Sequence, residues 1–358
     1  MARGLCSTHE GMSSEPWHGL PQILPKWLSG VCLQEILSVR FGKCSVRDDS
    51  CQLIDVRCPQ SRSQIQRIVT ESVFIIDQFE VKLKMEILHK FLRSINDNID
   101  WNAGVICSRP TKFGGDCVSC TSRQYFGGRS IDYSCDQRRM VYVLKYLTVH
   151  LREVYGAFVA LREHDDQLPE WVGTVRVLSI GGGAGSDIAG FKNFVVDEDE
   201  GFYSASAKQF DITRLERVTE WDTLAAKVVH IFSSEGINFR QFCIHNDINE
   251  FDPSKYPPYD IIMMSYVISE LDDDALDVLV NVISSALAAR GVLVINDRNE
   301  LAVVAKIERL LSNFNVVARS QDKDECWCGI KYPDELRELF KPKLNMKSVR
   351  LGAIVERL

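Results

Sequence analysis

The sequence predicts an α/β protein built on a doubly wound, mostly parallel, seven-stranded sheet, with a mainly helical region ahead of it. Three observations carry this. From Val175 onward, short runs rich in Val, Ile and Leu alternate with helix-patterned stretches, the signature of a parallel sheet covered on both faces. The first run ends in a cluster of glycines, Gly181, Gly182, Gly183 and Gly185. The composition, 45% hydrophobic and 25% charged, is that of a globular chain able to build a core.

Five strands are expected at Val175–Ile180, Gln209–Arg214, Asn238–Ile244, Asp260–Ser265 and Gly291–Asn296. Helices fill the gaps at Ser186–Phe194, Glu220–Phe232, Asp272–Ala289 and Leu301–Phe314, and Val316–Arg319 and Val349–Glu356 close the sheet. Ahead of it, residues 1–60 are irregular. Residues 61–166 form a helical, Cys-containing region suited to a substrate or partner. It opens with Ile65, Ile68, Val69, Val73 and Ile76 at helical spacing and ends in an apolar helix over Gln137–Arg162. A domain at 167–358 carries the sheet.

The formal net charge of -7 argues against a chain that coats polyanions as a whole. No run of about 18 apolar residues marks a membrane span, so no membrane partner is expected. The first residues lack an apolar signal-peptide core, which favours the cytosol or nucleus. There the twelve cysteines read as buried thiols or metal ligands rather than disulfides.

The glycines need a ligand or a sharp turn to explain them. Any Cβ would block close approach to the backbone, and a tight turn uses positive φ. Amides at the following helix start favour a polar or anionic group. A dinucleotide fingerprint would need glycine where Ser186 stands, and a P-loop would need Lys followed by Ser or Thr. The remaining alternative is a plain strand-to-helix turn.

The spacing Gly181-x-Gly183-x-Gly185 resembles that of class I, Rossmann-like S-adenosylmethionine-dependent methyltransferases, over about residues 172–358. The resemblance implies that this loop wraps the amino-acid and ribose end of S-adenosylmethionine. Glu216, in Phe210-Asp-Ile-Thr-Arg-Leu-Glu216, takes the place of the ribose-binding acid after strand two, with Trp221 beside the adenine. Asp247, in Phe242-Cys-Ile-His-Asn-Asp247, takes the place of the carboxylate near the adenine amino group, with Ile248 next to it. Tyr259-Asp-Ile-Ile-Met-Met-Ser-Tyr-Val-Ile-Ser-Glu-Leu271 is similar to the fourth strand and its outlet, and adds Ser265 to the cofactor set. Arg290-Gly-Val-Leu-Val-Ile-Asn-Asp297 resembles the fifth strand. Two positions depart from the family. Ser179 stands where an acid commonly precedes the loop, and Asp187 either compensates from the helix start or is a helix-favouring charge. Val267–Ile268 stand where many small-molecule methyltransferases carry His. Pro257–Pro258–Tyr259 looks like the Asn-Pro-Pro-Tyr box but precedes strand four, and reads as a loop stiffener.

Methyl transfer by in-line displacement asks the protein mainly to align nucleophile and methyl. A base is needed where the nucleophile arrives protonated. Tyr266 and Glu270 are the candidates, against readings as a packing aromatic and a helix-start charge. The acceptor, whether small molecule, protein or RNA, is unidentified. The alternative is a catalytically weak or inactive methyltransferase-like binding or assembly factor, RNA- or ribosome-associated. Ser265–Leu271 resembles the corresponding run of the mitochondrial ribosome-assembly methyltransferase-like family, some of whose members bind iron–sulfur clusters.

Cys107, Cys117, Cys120 and Cys135 form a cluster open to three readings: a zinc site, scattered thiols or an iron–sulfur cluster. The stretch 107–152 is basic and interleaved with Tyr125, Phe126 and Tyr133. That texture suits RNA contacts or a solvated face.

Overall fold

Beyond the helical stretch 86–97, the computed structural model describes residues 98, 119–121, 133–169, 171, 173–196, 207–231, 238–328 and 331–358. All lie in the unit Ile68–Leu358. Helix α1 runs Asp136–Leu161, and β1 (Gly173–Ile180) leads through the glycine loop into α2 (Ser186–Val195). Then come β2 (Ala207–Leu215), α3 (Asp222–Ile231), β3 (Asn238–Ile244), β4 (Tyr259–Ser265), α4 (Asp273–Ala286) and β5 (Leu287–Arg298). The chain closes with α5 (Leu301–Leu311), β6 (Phe314–Asp322), β7 (Glu325–Trp327), α6 (Asp334–Phe340) and β8 (Asn345–Arg357).

The strands are ordered β3-β2-β1-β4-β5-β8-β6, and short β7 pairs β8 off this path. Strands β1 to β5 pair in parallel, while β8 runs antiparallel to both β5 and β6. This is the doubly wound, mostly parallel, Rossmann-like sheet that the sequence predicts. All seven expected strands are present.

Strand alternation explains why both faces are covered. In β4, Ile261 and Met263 enter one core, and Ile262 and Met264 enter the other. The first core is filled by Phe158 of α1 and Phe191 and Phe194 of α2. Phe158 sits 5.1 Å and 5.2 Å from the two α2 rings, centroid to centroid. Burying each such ring contributes about 1.5–3 kcal/mol. The second core is filled by Leu276, Leu279 and Ile283 of α4 and Ile307, Leu310 and Leu311 of α5. Helix α1 is thus a covering layer of the sheet itself, and that layer reaches back to Asp136. Its approach to α2 is close: a Cβ on Gly190 would lie 2.6 Å from the Leu151 carbonyl.

Three local differences have physical causes. The expected helix Asp272–Ala289 ends at Ala286, because Leu287 pairs with Tyr259 across a register shift and extends β5 backward. Tertiary pairing overrides the helix preference of the alanines there. Strand β7 and helix α6 were not expected. The first has three residues, too few for a period, and the second has seven. Among the described residues no helix is long and apolar enough to cross a membrane.

The basic stretch also changes meaning. Arg138, Arg139 and Lys145 are buried in or beside the helical core. Arg139 donates to the Tyr133 carbonyl and pairs with Asp136, and Arg138 Nη2 donates to the Cys120 sulfur at 3.4 Å. Arg152 lies over the Tyr155 ring at 4.4 Å. Arg138, Arg139 and Lys145 therefore do not face solvent, whereas Arg152 is exposed. Arg109, Lys112, Arg123, Tyr125, Phe126 and Arg129 lie outside the described residues.

Candidate functional site

The strand order reverses at β1, which has β2 on one side and β4 on the other. Open parallel sheets bind ligands at such a point, beyond the carboxyl ends of the strands. A cavity of about 300 Å³ lies there, at the lower end of the range for small-molecule sites.

The glycine loop forms one wall. Gly181 donates its N–H to Leu215 O at 2.8 Å, which ties the loop to the end of β2. Its φ is 64°, and Gly185, at 79°, caps α2. L side chains avoid this left-handed region. At Gly181 a Cβ would also meet Val267 Cγ2 at 2.8 Å, so the loop is pressed against the outlet of β4. At Gly183 a Cβ would meet Gly181 O at 3.8 Å and Trp221 at 4.0 Å, in a cradle open to the cavity.

Glu216 braces this loop. One carboxylate oxygen accepts from Gly183 N and the other from Val218 N, each at 2.9 Å. Its own N–H donates to Ile244 O at 3.0 Å, which ties the end of β2 to β3. Asp247 accepts from the Asn249 N–H at 3.1 Å and from its side-chain amide at 2.7 Å. Partial burial pushes the Asp247 carboxyl up, but these bonds and Arg217 outweigh it and hold it below the usual carboxylate range. Trp221 is buried, with Tyr133 and Tyr142 against it at 5.2 Å and 5.7 Å. The three rings make an aromatic wall.

The other wall comes from the end of β4, its outlet and the start of α4. Tyr266 is held at φ 59° by its N–H bond to Asn296 O at 2.7 Å. Its hydroxyl donates to Glu153 at 3.1 Å and 3.3 Å. Asn296 Nδ2 lies 3.1 Å from Glu153 Oε2, and His150 Nδ1 lies 2.9 Å from that same oxygen. His150, Glu153 and Asn296 are all fully buried. Burial and the Glu153 charge raise the Tyr266 hydroxyl well above the ordinary tyrosine value. Glu270 presents its carboxylate at the mouth of the cavity. The enclosing protein pushes it up to about 7, against the pull of Arg298.

Of the residues expected from sequence, Gly181, Gly183, Glu216, Trp221, Asp247, Ile248, Ser265, Tyr266 and Glu270 line this cavity together. Ser179, Gly185 and Asp187 do not. Ser179 Oγ donates to Asp187, whose other oxygen accepts from Ile188 N at 2.8 Å. The pair is buried behind the loop, and burial raises the Asp187 carboxyl to about 6. The Asp187 carboxylate thus holds Ser179 and the first turn of α2, behind the loop. Tyr133, Tyr142, Glu153, His150 and Asn296 are not among the site residues expected from sequence, although Tyr133 stands in the aromatic-interleaved basic stretch. The signal for two of them was present: His150 and Glu153 sit three apart on the apolar face of a helix, where polar residues need partners.

Cys107 and Cys117 lie outside the described residues. Cys120 and Cys135 are half-buried, and the Cys120 sulfur accepts from Arg138 Nη2 at 3.4 Å.

No protein-family model matches the chain, and no curated protein matches it. Solved structures similar to it include the N-methyltransferase NodS of Bradyrhizobium japonicum WM9, at 14% identity and a TM-score of 0.32, covering 56% of this chain and 91% of that one. A putative RNA methyltransferase of Pyrococcus horikoshii is 15% identical, with a TM-score of 0.36 over 57% of this chain and 84% of its own. A magnesium protoporphyrin IX methyltransferase of Synechocystis PCC 6803 with bound SAH is 12% identical, at 0.36, over 66% and 93%. With scores this low, the order and direction of this chain's own strands carry the fold assignment.

Proposed function

We propose that the chain binds S-adenosylmethionine in the cavity at the ends of β1, β2 and β4 and transfers its methyl group to an acceptor entering beside Glu270. The observation that carries this is the convergence of the glycine loop, Glu216 and Asp247 on one cavity at the point where the strand order reverses. The residues fit the ligand. Gly181 and Gly183 leave a cradle that a Cβ would fill, and Ser265 faces it from β4. Glu216 supplies carboxylate lone pairs for ribose hydroxyls, and Asp247, Ile248 and Trp221 supply the adenine side.

When bound, S-adenosylmethionine supplies a methyl group on a positively charged sulfur with a neutral leaving group. The chain's residues then have two tasks. The loop and Glu216 fix the ligand's position, because alignment dominates such displacements. Glu270 holds the proton of the acceptor, since its carboxyl lies near 7 and a base works best near the operating pH. The Tyr266 hydroxyl is committed to Glu153, so its task is to hold the shape of the β4 outlet.

Isothermal titration with S-adenosylmethionine and its demethylated product tests the reading. Micromolar binding of either is expected, and no binding of both at millimolar concentration sinks it. One observation favours a second reading, that of a binding or assembly factor that holds the ligand without turnover. The acid that commonly precedes the loop is Ser179 here, and its partner Asp187 is buried rather than in the cavity. Transfer of labelled methyl to RNA and protein fractions separates the two readings once binding is established.

A further inference from the structure

Three side chains outside the cavity converge beside the loop. Asp222 opens α3, Cys243 lies on β3, the edge strand of the sheet, and His245 follows that strand. None of them lines the cavity. His245 Nε2 lies 3.1 Å from Asp222 Oδ2. The Cys243 sulfur lies 3.6 Å from Asp222 Oδ1 and 3.7 Å from His245 Nδ1. One ligand atom from each residue lies within 4.8 Å of the other two.

We infer that Asp222, Cys243 and His245 form a binding site for a zinc-type divalent cation. The donors are a thiol, an imidazole and a carboxylate, the set that zinc takes. Bonds of about 2.3 Å to sulfur and about 2.0–2.2 Å to nitrogen and oxygen place neighbouring tetrahedral ligand atoms roughly 3.3–3.6 Å apart. The separations from the Cys243 sulfur already fall within a few tenths of an ångström of that range. Sulfur and nitrogen donors argue against calcium and magnesium, which take oxygen ligands. Cys243 and His245 are exposed, so water can fill the fourth position. The support is firm: β3 is paired to β2 along its length, from Asn238 to Ile244.

Arg214 gives the site its second property. Its Nη2 donates to Asp222 Oδ1 and, at 3.2 Å, to the Cys243 sulfur. Its Nη1 donates to Gly183 O at 2.9 Å. A cation at this site would compete with the guanidinium for the carboxylate and the sulfur. A metal ion deprotonates a coordinating thiol, and binding releases that proton.

The test uses the full chain, reduced and stripped of metal. Zn2+ is titrated in competition with a chromophoric chelator, and Co2+ is added in parallel. The intact chain is expected to bind one equivalent more than Cys243→Ser or His245→Ala, and Asp222→Asn is expected to weaken that equivalent at least tenfold. That equivalent carries a thiolate-to-cobalt absorption which Cys243→Ser lacks, and its enthalpy varies with buffer ionisation by one proton. Both substituted side chains in the first pair are exposed, and their thermal unfolding is matched to that of the parent before metal is added. Equal stoichiometry and affinity in parent and variants places any metal at the other cysteines and overturns the proposal. Absence of any thiolate–cobalt absorption in the parent overturns it without a variant.

Discussion

The two walls of the cavity are made of different material. The wall from β1, β2 and β3 is largely main chain: Gly181 and Gly183, with Glu216 and Asp247 each held by backbone N–H groups. The wall from β4 and its outlet rests on side chains: Tyr266, backed by Glu153 and His150 of α1 and Asn296 of β5, packed where solvent does not reach. A main-chain wall tolerates no added Cβ but asks little of the core. A buried side-chain network contributes to stability and is costly to leave half-made. The first wall therefore governs binding, and the second governs folding and the shape of the acceptor side.

The largest expected effect falls on the second wall. Glu153→Leu removes a partner shared by Tyr266, His150 and Asn296, of which Asn296 keeps Ser265 and Tyr266 keeps the Met346 sulfur. Orphaning buried polar groups costs about 1–3 kcal/mol each, so a total loss of about 3–5 kcal/mol is expected in urea unfolding. A loss under about 1 kcal/mol would show that the network does not hold this wall. On the first wall, Gly181→Val forces a side chain into left-handed backbone against Val267. S-adenosylmethionine affinity is expected to fall by about two orders of magnitude in calorimetry, with a smaller stability loss of about 2 kcal/mol. Retained affinity would mean that the loop does not touch the ligand. Glu216→Gln keeps the size but weakens both backbone bonds and the acceptor for hydroxyls. About a tenfold loss of affinity is expected, on the scale of one charge-assisted hydrogen bond, and an unchanged dissociation constant would move the ribose elsewhere.

This division also sets what the sequence discloses. The main-chain wall was legible because its constraint is local. Gly181, Gly183 and Gly185 follow a strand and precede a helix within one continuous segment, and Glu216 closes the next strand. The side-chain wall was not, because Glu153 reaches Tyr266 across 113 positions and Asn296 across 143. The apolar face that carries His150 and Glu153 signals their burial, but nothing local names the partners they meet there. The burial of Arg138, Arg139 and Lys145 on α1 is hidden for the same reason: charge is visible in a sequence, but burial depends on what packs over it. Strands β1 to β5 were legible from their apolar runs. Strand β7 was hidden because three residues held by β8 need no pattern of their own.

Glu270 offers the smallest effect and the sharpest link between the walls, since it sits where they meet at the cavity mouth. Its carboxyl rises from an ordinary 4.5 to about 7 through the water that the surrounding protein displaces, against the pull of Arg298. A folded-state value above the unfolded one means that the folded protein holds the proton more tightly. The stability it contributes is complete below about 4.5 and is lost as pH rises through about 7. Glu270→Gln removes that step and should flatten the unfolding midpoint across this window. In turnover the sign is opposite, because the base must be ionised to accept a proton. Between pH 6 and pH 8 its ionised fraction rises about tenfold, and the rate of methyl transfer to a protonated acceptor follows it. The glutamine variant loses this rise while keeping its affinity for S-adenosylmethionine, because binding belongs to the other wall. A pH profile unchanged by the substitution would take the proton away from Glu270. A loss of affinity would show that the two walls are not separable.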